Sequence, residues 1–138
     1  MVSISLNAQL FGLHNQLSGG FIDNPRSIDI ADIDGDGDLD VVSASFTDSK
    51  ICWFENIDNV FHRQHIVSLT LHEAIHVSVG DVNADGHMDI IACGEENNQL
   101  GWYENDGNGN FSSIHLLEYD LSLIQRLYVE DYDEDGDA

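Results

Sequence analysis

One acidic loop recurs three times at fixed spacing in this chain, and that spacing constrains the fold more than any other feature. Asp32-Ile-Asp-Gly-Asp-Gly-Asp-Leu-Asp40 is followed by Asp81-Val-Asn-Ala-Asp-Gly-His-Met-Asp89, and Asp131-Tyr-Asp-Glu-Asp-Gly-Asp137 begins a third copy. The loop starts are 49 and then 50 residues apart. Other marks keep the same register. Trp53-Phe-Glu-Asn56 returns as Trp102-Tyr-Glu-Asn105, and Phe61 and His65 return as Phe111 and His115. Self-similarity at such a period belongs to repeat architectures, in which each unit is one supersecondary motif packed on its neighbours.

Each unit reads as four short strands. Ser27–Ala31, His76–Gly80 and Arg126–Glu130 alternate polar and apolar residues, the mark of a half-buried strand. Leu39–Ala44 and Met88–Cys93 are apolar runs suited to strands buried on both faces. Ile51–Glu55 and Leu100–Glu104 supply third strands, and Phe61–Val67 and Phe111–Leu117 fourth strands. Leu69–Ile75 is too short for a helix, and no other stretch predicts one. Four strands in about 40–50 residues is the arithmetic of a propeller blade. A β-sandwich has no reason to repeat one loop at constant spacing. The predicted fold is therefore all-β, built of β-propeller blades of four antiparallel strands.

The predicted organisation is a single propeller segment over residues 1–138. Residues 2–17 would end a preceding blade, 26–67 and 76–119 would be full blades, and 126–138 would give a first strand and partial loop. Closed propellers have about 4–8 blades, so one chain of this kind leaves the ring incomplete. The expectation is that the sequence is a fragment or that copies self-associate, residues 126–138 of one pairing with 2–17 of another.

The loop chemistry points to a hard cation. Oxygen-bearing side chains at alternate positions, with glycines that let the backbone turn sharply, suit Ca2+ and its about 6–8 oxygen ligands. In the first loop Asp32, Asp34, Asp36 and Asp40 would give side-chain oxygens and Asp38 its carbonyl. In the second the roles fall to Asp81, Asn83, Asp85, His87 through its carbonyl, and Asp89. Asn83 carries no charge, so the first site is expected to bind more tightly. Asp131, Asp133, Asp135 and Asp137 form a weaker third set. An EF-hand needs an acidic residue at the twelfth position. Ser43 and Ala92 stand there, and the flanks are strand-like.

Charge narrows the partners. A formal charge of −22, from 26 acids against 4 bases, argues against nucleic acid and anionic membranes. The three loops hold 13 of the acids, which bound cations would offset. No stretch approaches the about 20 apolar residues of a membrane span, and no signal peptide is visible at the N-terminus. Cys52 and Cys93 fall at non-equivalent places in the repeat and read as free buried thiols.

These residues resemble the FG-GAP/VCBS repeats that build integrin-α-type β-propellers. The likeness rests on Asp32–Asp40, its copy Asp81–Asp89, and the Trp-aromatic-Glu-Asn segments with their downstream Phe and His. It implies a calcium ion in the loop joining the first two strands of each blade. It further implies an extracellular or cell-surface setting, and a role in adhesion, ligand binding or as a module beside a secreted enzyme. Phe11-Gly12 does not align with the repeat, so the Phe-Gly…Gly-Ala-Pro signature is missing in register.

The remaining features have plain readings. Trp53, Phe54, Trp102 and Tyr103 are expected to pack between blades rather than stack on sugars. His62, His65, His72 and His76 lack a strong zinc spacing, and Asp106–Asn110 reads as a hairpin turn. No nucleophile-and-base arrangement is present, so the expected function is a non-enzymatic calcium-binding module that presents a protein or carbohydrate surface. The competing expectations are a piece of a secreted polysaccharide-active enzyme and a self-assembling fragment.

Overall fold

Short runs of β-branched and aromatic residues, separated by Asp-, Asn- and Gly-rich turns, fold into eight strands among the described residues. The computed structural model describes residues 22–96, 98–118, 124 and 126–129. The strands are β1 (Pro25–Ala31), β2 (Asp40–Ser45), β3 (Lys50–Ile57), β4 (Val60–Ser68), β5 (Ala74–Gly80), β6 (Asp89–Gly94), β7 (Gln99–Tyr103) and β8 (His115–Glu118). They form two four-stranded antiparallel sheets, ordered β1-β2-β3-β4 and β5-β6-β7-β8. None of the described residues is helical. The fold is all-β and each sheet is blade-like.

The two sheets repeat each other down to their irregularities. The β1–β2 ladder shifts register between Pro25 and Ser27, and the β5–β6 ladder shifts between Ala74 and His76. Arg26 and Ile75 are thus the extra residues of equivalent β-bulges, the kind of kink that re-aims a side chain. The last strand departs from the expected pattern. Phe111 makes only an isolated bridge to Asn105, and β8 starts at His115. The turn before Phe111 is one residue longer than its counterpart before Phe61. Ser112 closes it by donating its N–H to the Glu104 carbonyl at 2.8 Å. Residues 126–129 join neither sheet, and the segments read as 2–17 and 131–138 lie outside the described residues.

Among the described residues one apolar core lies between the sheets. The first sheet contributes Ala31, Val42, Ala44, Ile51 and Trp53, and the second Ala74, Val77, Ile90, Ala92 and Tyr103, with Ile33 and Leu71 from loops. In repeat register the two sets are different positions. The first sheet presents one face and the second presents the opposite face, so the packing is head-to-tail. Strands β1 and β5 lie side by side. Asp29 accepts from the Ser78 hydroxyl at 3.2 Å and the Val79 N–H at 3.0 Å.

The head-to-tail order leaves an apolar stripe on β1. Ile28 and Ile30 are 64% and 55% exposed, whereas Val77, which stands where Ile28 does in the repeat, is 1% exposed. The alternation expected of β1 is present, but its apolar set faces outward.

Candidate metal centre

Both acidic loops connect the first two strands of a sheet, β1 to β2 and β5 to β6. Their backbones follow one path. Gly35 and Gly37 take φ of 77° and 96°, and Ala84 and Gly86, in the same loop positions, take 58° and 88°. Ala84 holds a left-handed conformation that costs an alanine about 1 kcal/mol or more, so the turn is imposed by its surroundings.

The ninth loop residue anchors each turn. Asp40 is fully buried at the start of β2, and its two carboxylate oxygens accept the backbone N–H groups of Ile33 at 2.9 Å and Asn56 at 2.8 Å. Asp89 repeats this with Val82 at 3.1 Å and Asn105 at 2.8 Å. Burial pushes the Asp40 carboxyl up to about 6, against the pull of those two donors, and the charges of Asp34 and Asp36 add to the rise. Burial raises Asp89 as well. A carboxylate in this setting lacks a positive charge to balance it.

In the first loop that imbalance is concentrated. Asp32, Asp34 and Asp40 bring one carboxylate oxygen each to within 4.8 Å of one another. Asp34 is held above its ordinary range, first by burial and then by Asp36. Asp32 is fixed by accepting the N–H groups of Gly35 and Gly37 at 2.9 and 3.0 Å. Three hard oxygen donors, preset by backbone hydrogen bonds and short of positive charge, fit a calcium-type cation. Asp36 and Asp38 stand apart from the trio. Asp36 accepts the Asp38 N–H at 2.8 Å, and the Asp38 side chain reaches across to the N–H of Asp58 at 2.9 Å.

The second loop is arranged differently. Asp81 accepts the N–H groups of Asp85 and Gly86 at 3.0 and 2.8 Å, and Asp85 accepts that of His87 at 2.9 Å. The Asn83 amide nitrogen donates to Asp85 at 3.0 Å and to Glu104 at 3.2 Å. An uncharged donor therefore ties together carboxylates that would otherwise repel. Among the described residues, no second group of three His, Cys, Asp or Glu ligand atoms is as close as the Asp32 trio. Asp131, Asp133, Asp135 and Asp137 lie outside the described residues.

Two asparagines that sequence patterning marked only as repeat signatures brace these loops. Asn56 donates its side-chain amide to the Leu39 carbonyl at 3.0 Å. Asn105 donates to the Met88 carbonyl at 3.0 Å and to the Ile33 carbonyl of the first loop at 2.8 Å. Their recurrence at a 49-residue interval was the available signal. The Asp106–Asn110 segment is a closed turn, in which the Asp106 side chain accepts from Asn108 and Asn110. Cys52 and Cys93 are free and buried.

A repeated four-stranded antiparallel sheet with an acidic loop between its first two strands defines a class of all-β repeat protein. The family model for an FG-GAP-like repeat matches residues 32–92 and again residues 81–138, and the chain belongs to that family. No curated protein and no solved structure matches the chain.

Proposed function

We propose that the chain is a calcium-binding β-propeller repeat module in which the metal is structural and the blades present a surface for protein or carbohydrate binding. The observation that carries this reading is the convergence of Asp32, Asp34 and Asp40 around a fully buried, uncompensated Asp40 carboxylate. Asp40 would hold the cation at the wall of the loop, and Asp32 and Asp34 would close over it. The ion would supply the missing positive charge and lock the β1–β2 turn. The unfolded chain has no such preset site, so binding energy becomes folding energy. The family match supports an extracellular or cell-surface setting, and no described helix is long and apolar enough to cross a membrane.

Thermal melting followed by circular dichroism, in calcium and in chelator, tests the structural role. The midpoint is expected to rise with calcium concentration. An unchanged midpoint would overturn the reading.

The same proposal includes association between copies. Head-to-tail packing leaves each outer face unlike its partner, and repeated contacts of that kind close into rings or extend as filaments. The outward Ile28 and Ile30 support a further sheet docking where the first sheet docks on the second. Solution mass with calcium is expected to exceed that of a monomer, and Ile28→Asp with Ile30→Asp is expected to restore the monomer.

A further inference from the structure

Cations are scarce in this chain, and two of its three arginines line one cleft. The cleft, of about 410 Å³, lies beside the bulged ends of β1 and β5 and is bounded by Arg26, His76, Glu95, Asn98, Arg126 and the side chains of Ile75 and Ile124. Arg26 occupies the β1 bulge and lies over the Phe46 ring at 4.8 Å, which fixes its guanidinium without neutralising it. The ion pairs among the described residues use Lys50 and three histidines, and neither arginine enters one. Glu95 lines the same cleft, yet it too makes no such pair. In a protein with 26 acids, two arginines that line one cleft with no ion-pair partner among the described residues are a local reversal of the molecule's charge.

We infer that this cleft binds a small monocarboxylate bearing hydroxyl groups, of the sugar-acid class. Guanidinium forks match a carboxylate in two parallel hydrogen bonds, and two arginines line this cleft. Burial and the Arg126 charge hold His76 below its usual range, against the opposing pull of Asp29. Among the described lining residues two arginines face one carboxylate, that of Glu95, which favours a ligand with a single negative group. The Glu95 carboxylate and the Asn98 amide then remain to meet hydroxyls, and Ile75 and Ile124 offer an apolar wall to a sugar ring. The cleft is distinct from the acidic loops, so the inference stands apart from the metal reading.

Calorimetric titration of the calcium-loaded chain with galacturonate, galactose and sulfate tests it. Galacturonate is expected to bind and galactose not to. Arg26→Gln and Arg126→Gln are each expected to weaken galacturonate by roughly tenfold or more, and Arg126→Lys to recover only part of the loss. Both arginines are exposed, and unchanged circular dichroism would confirm that the variants fold. In the parent protein the His76 ring resonances should move during the titration. Absent galacturonate binding, or binding indifferent to both substitutions, would overturn the inference. Sulfate binding as tight as galacturonate would overturn its hydroxyl component.

Discussion

The Asn105 side chain donates to the backbone carbonyl of Ile33 at 2.8 Å, joining the end of β7 to the first acidic loop 72 positions earlier. The same amide donates to Met88, its oxygen accepts the Gly107 N–H at 3.1 Å, and its own N–H is held by Asp89. One buried side chain thereby fixes its own sheet's loop and its neighbour's.

Asn105→Ala is expected to destabilise the protein by about 2–4 kcal/mol, because it strands buried carbonyls on two loops. Asn56→Ala should cost about 1 kcal/mol, since Asn56 makes one side-chain bond, to Leu39, and its amide oxygen has no partner. Denaturant unfolding of the two variants measures the difference. Equal losses would show that the bond to Ile33 contributes nothing.

Asp40 predicts an unusual pH dependence in chelator. Its folded value, about 6, lies above the ordinary 3.8, so the folded state holds its proton more tightly than the unfolded state. The contribution is fully present below about pH 4 and is lost as pH rises to about 6. Asp40→Asn should remove most of that slope, but its NH2 would face one of the two N–H donors that the carboxylate accepts, so the variant should be less stable than the parent below about pH 4. The same variant should lose stabilisation by calcium. Melting across this pH range, with and without calcium, checks both effects.

The two loops should differ in affinity for a reason located at one position. Asn83 places a neutral amide between Asp85 and Glu104, where the first loop has the charged Asp34. Asn83→Asp is expected to strengthen calcium binding at the second loop by about tenfold or more. It should also destabilise the metal-free protein, by setting a third carboxylate beside two others. Asp40→Ala should abolish the tighter phase in a calcium titration, and Asp89→Ala the weaker one.

The strands and loops were legible because their signals are local. Alternation, apolar runs and the 49-residue register depend on near neighbours, and Asp32, Asp34 and Asp40 share one turn. What the sequence left open depends on contacts between repeats. Nothing local distinguishes Ile28 from Val77, yet one is exposed and the other buried because a sheet covers only the second. Asn56 and Asn105 carry the same motif, but only Asn105 finds Ile33. Arg26 and Arg126 stand 100 positions apart, and only the folding of both toward the β5 bulge puts them in one cleft.

The turn after Asn105 offers a test of packing between the sheets. A Cβ on Gly109 would stand 2.4 Å from the buried Trp53 ring, and one on Gly107 would stand 2.4 Å from the His87 ring. Both glycines have positive φ, 72° and 79°, so either alanine carries similar backbone strain. The neighbours decide the rest. His87 is exposed and can swing aside. Trp53 is 2% exposed and stacks on His65 at 4.3 Å, so it has nowhere to go. Gly109→Ala should therefore cost about 3 kcal/mol and Gly107→Ala about 1 kcal/mol. Only the first should shift the tryptophan emission, because only the first presses on an indole ring. Equal costs, or an emission change in the Gly107 variant alone, would show that this turn does not rest on Trp53.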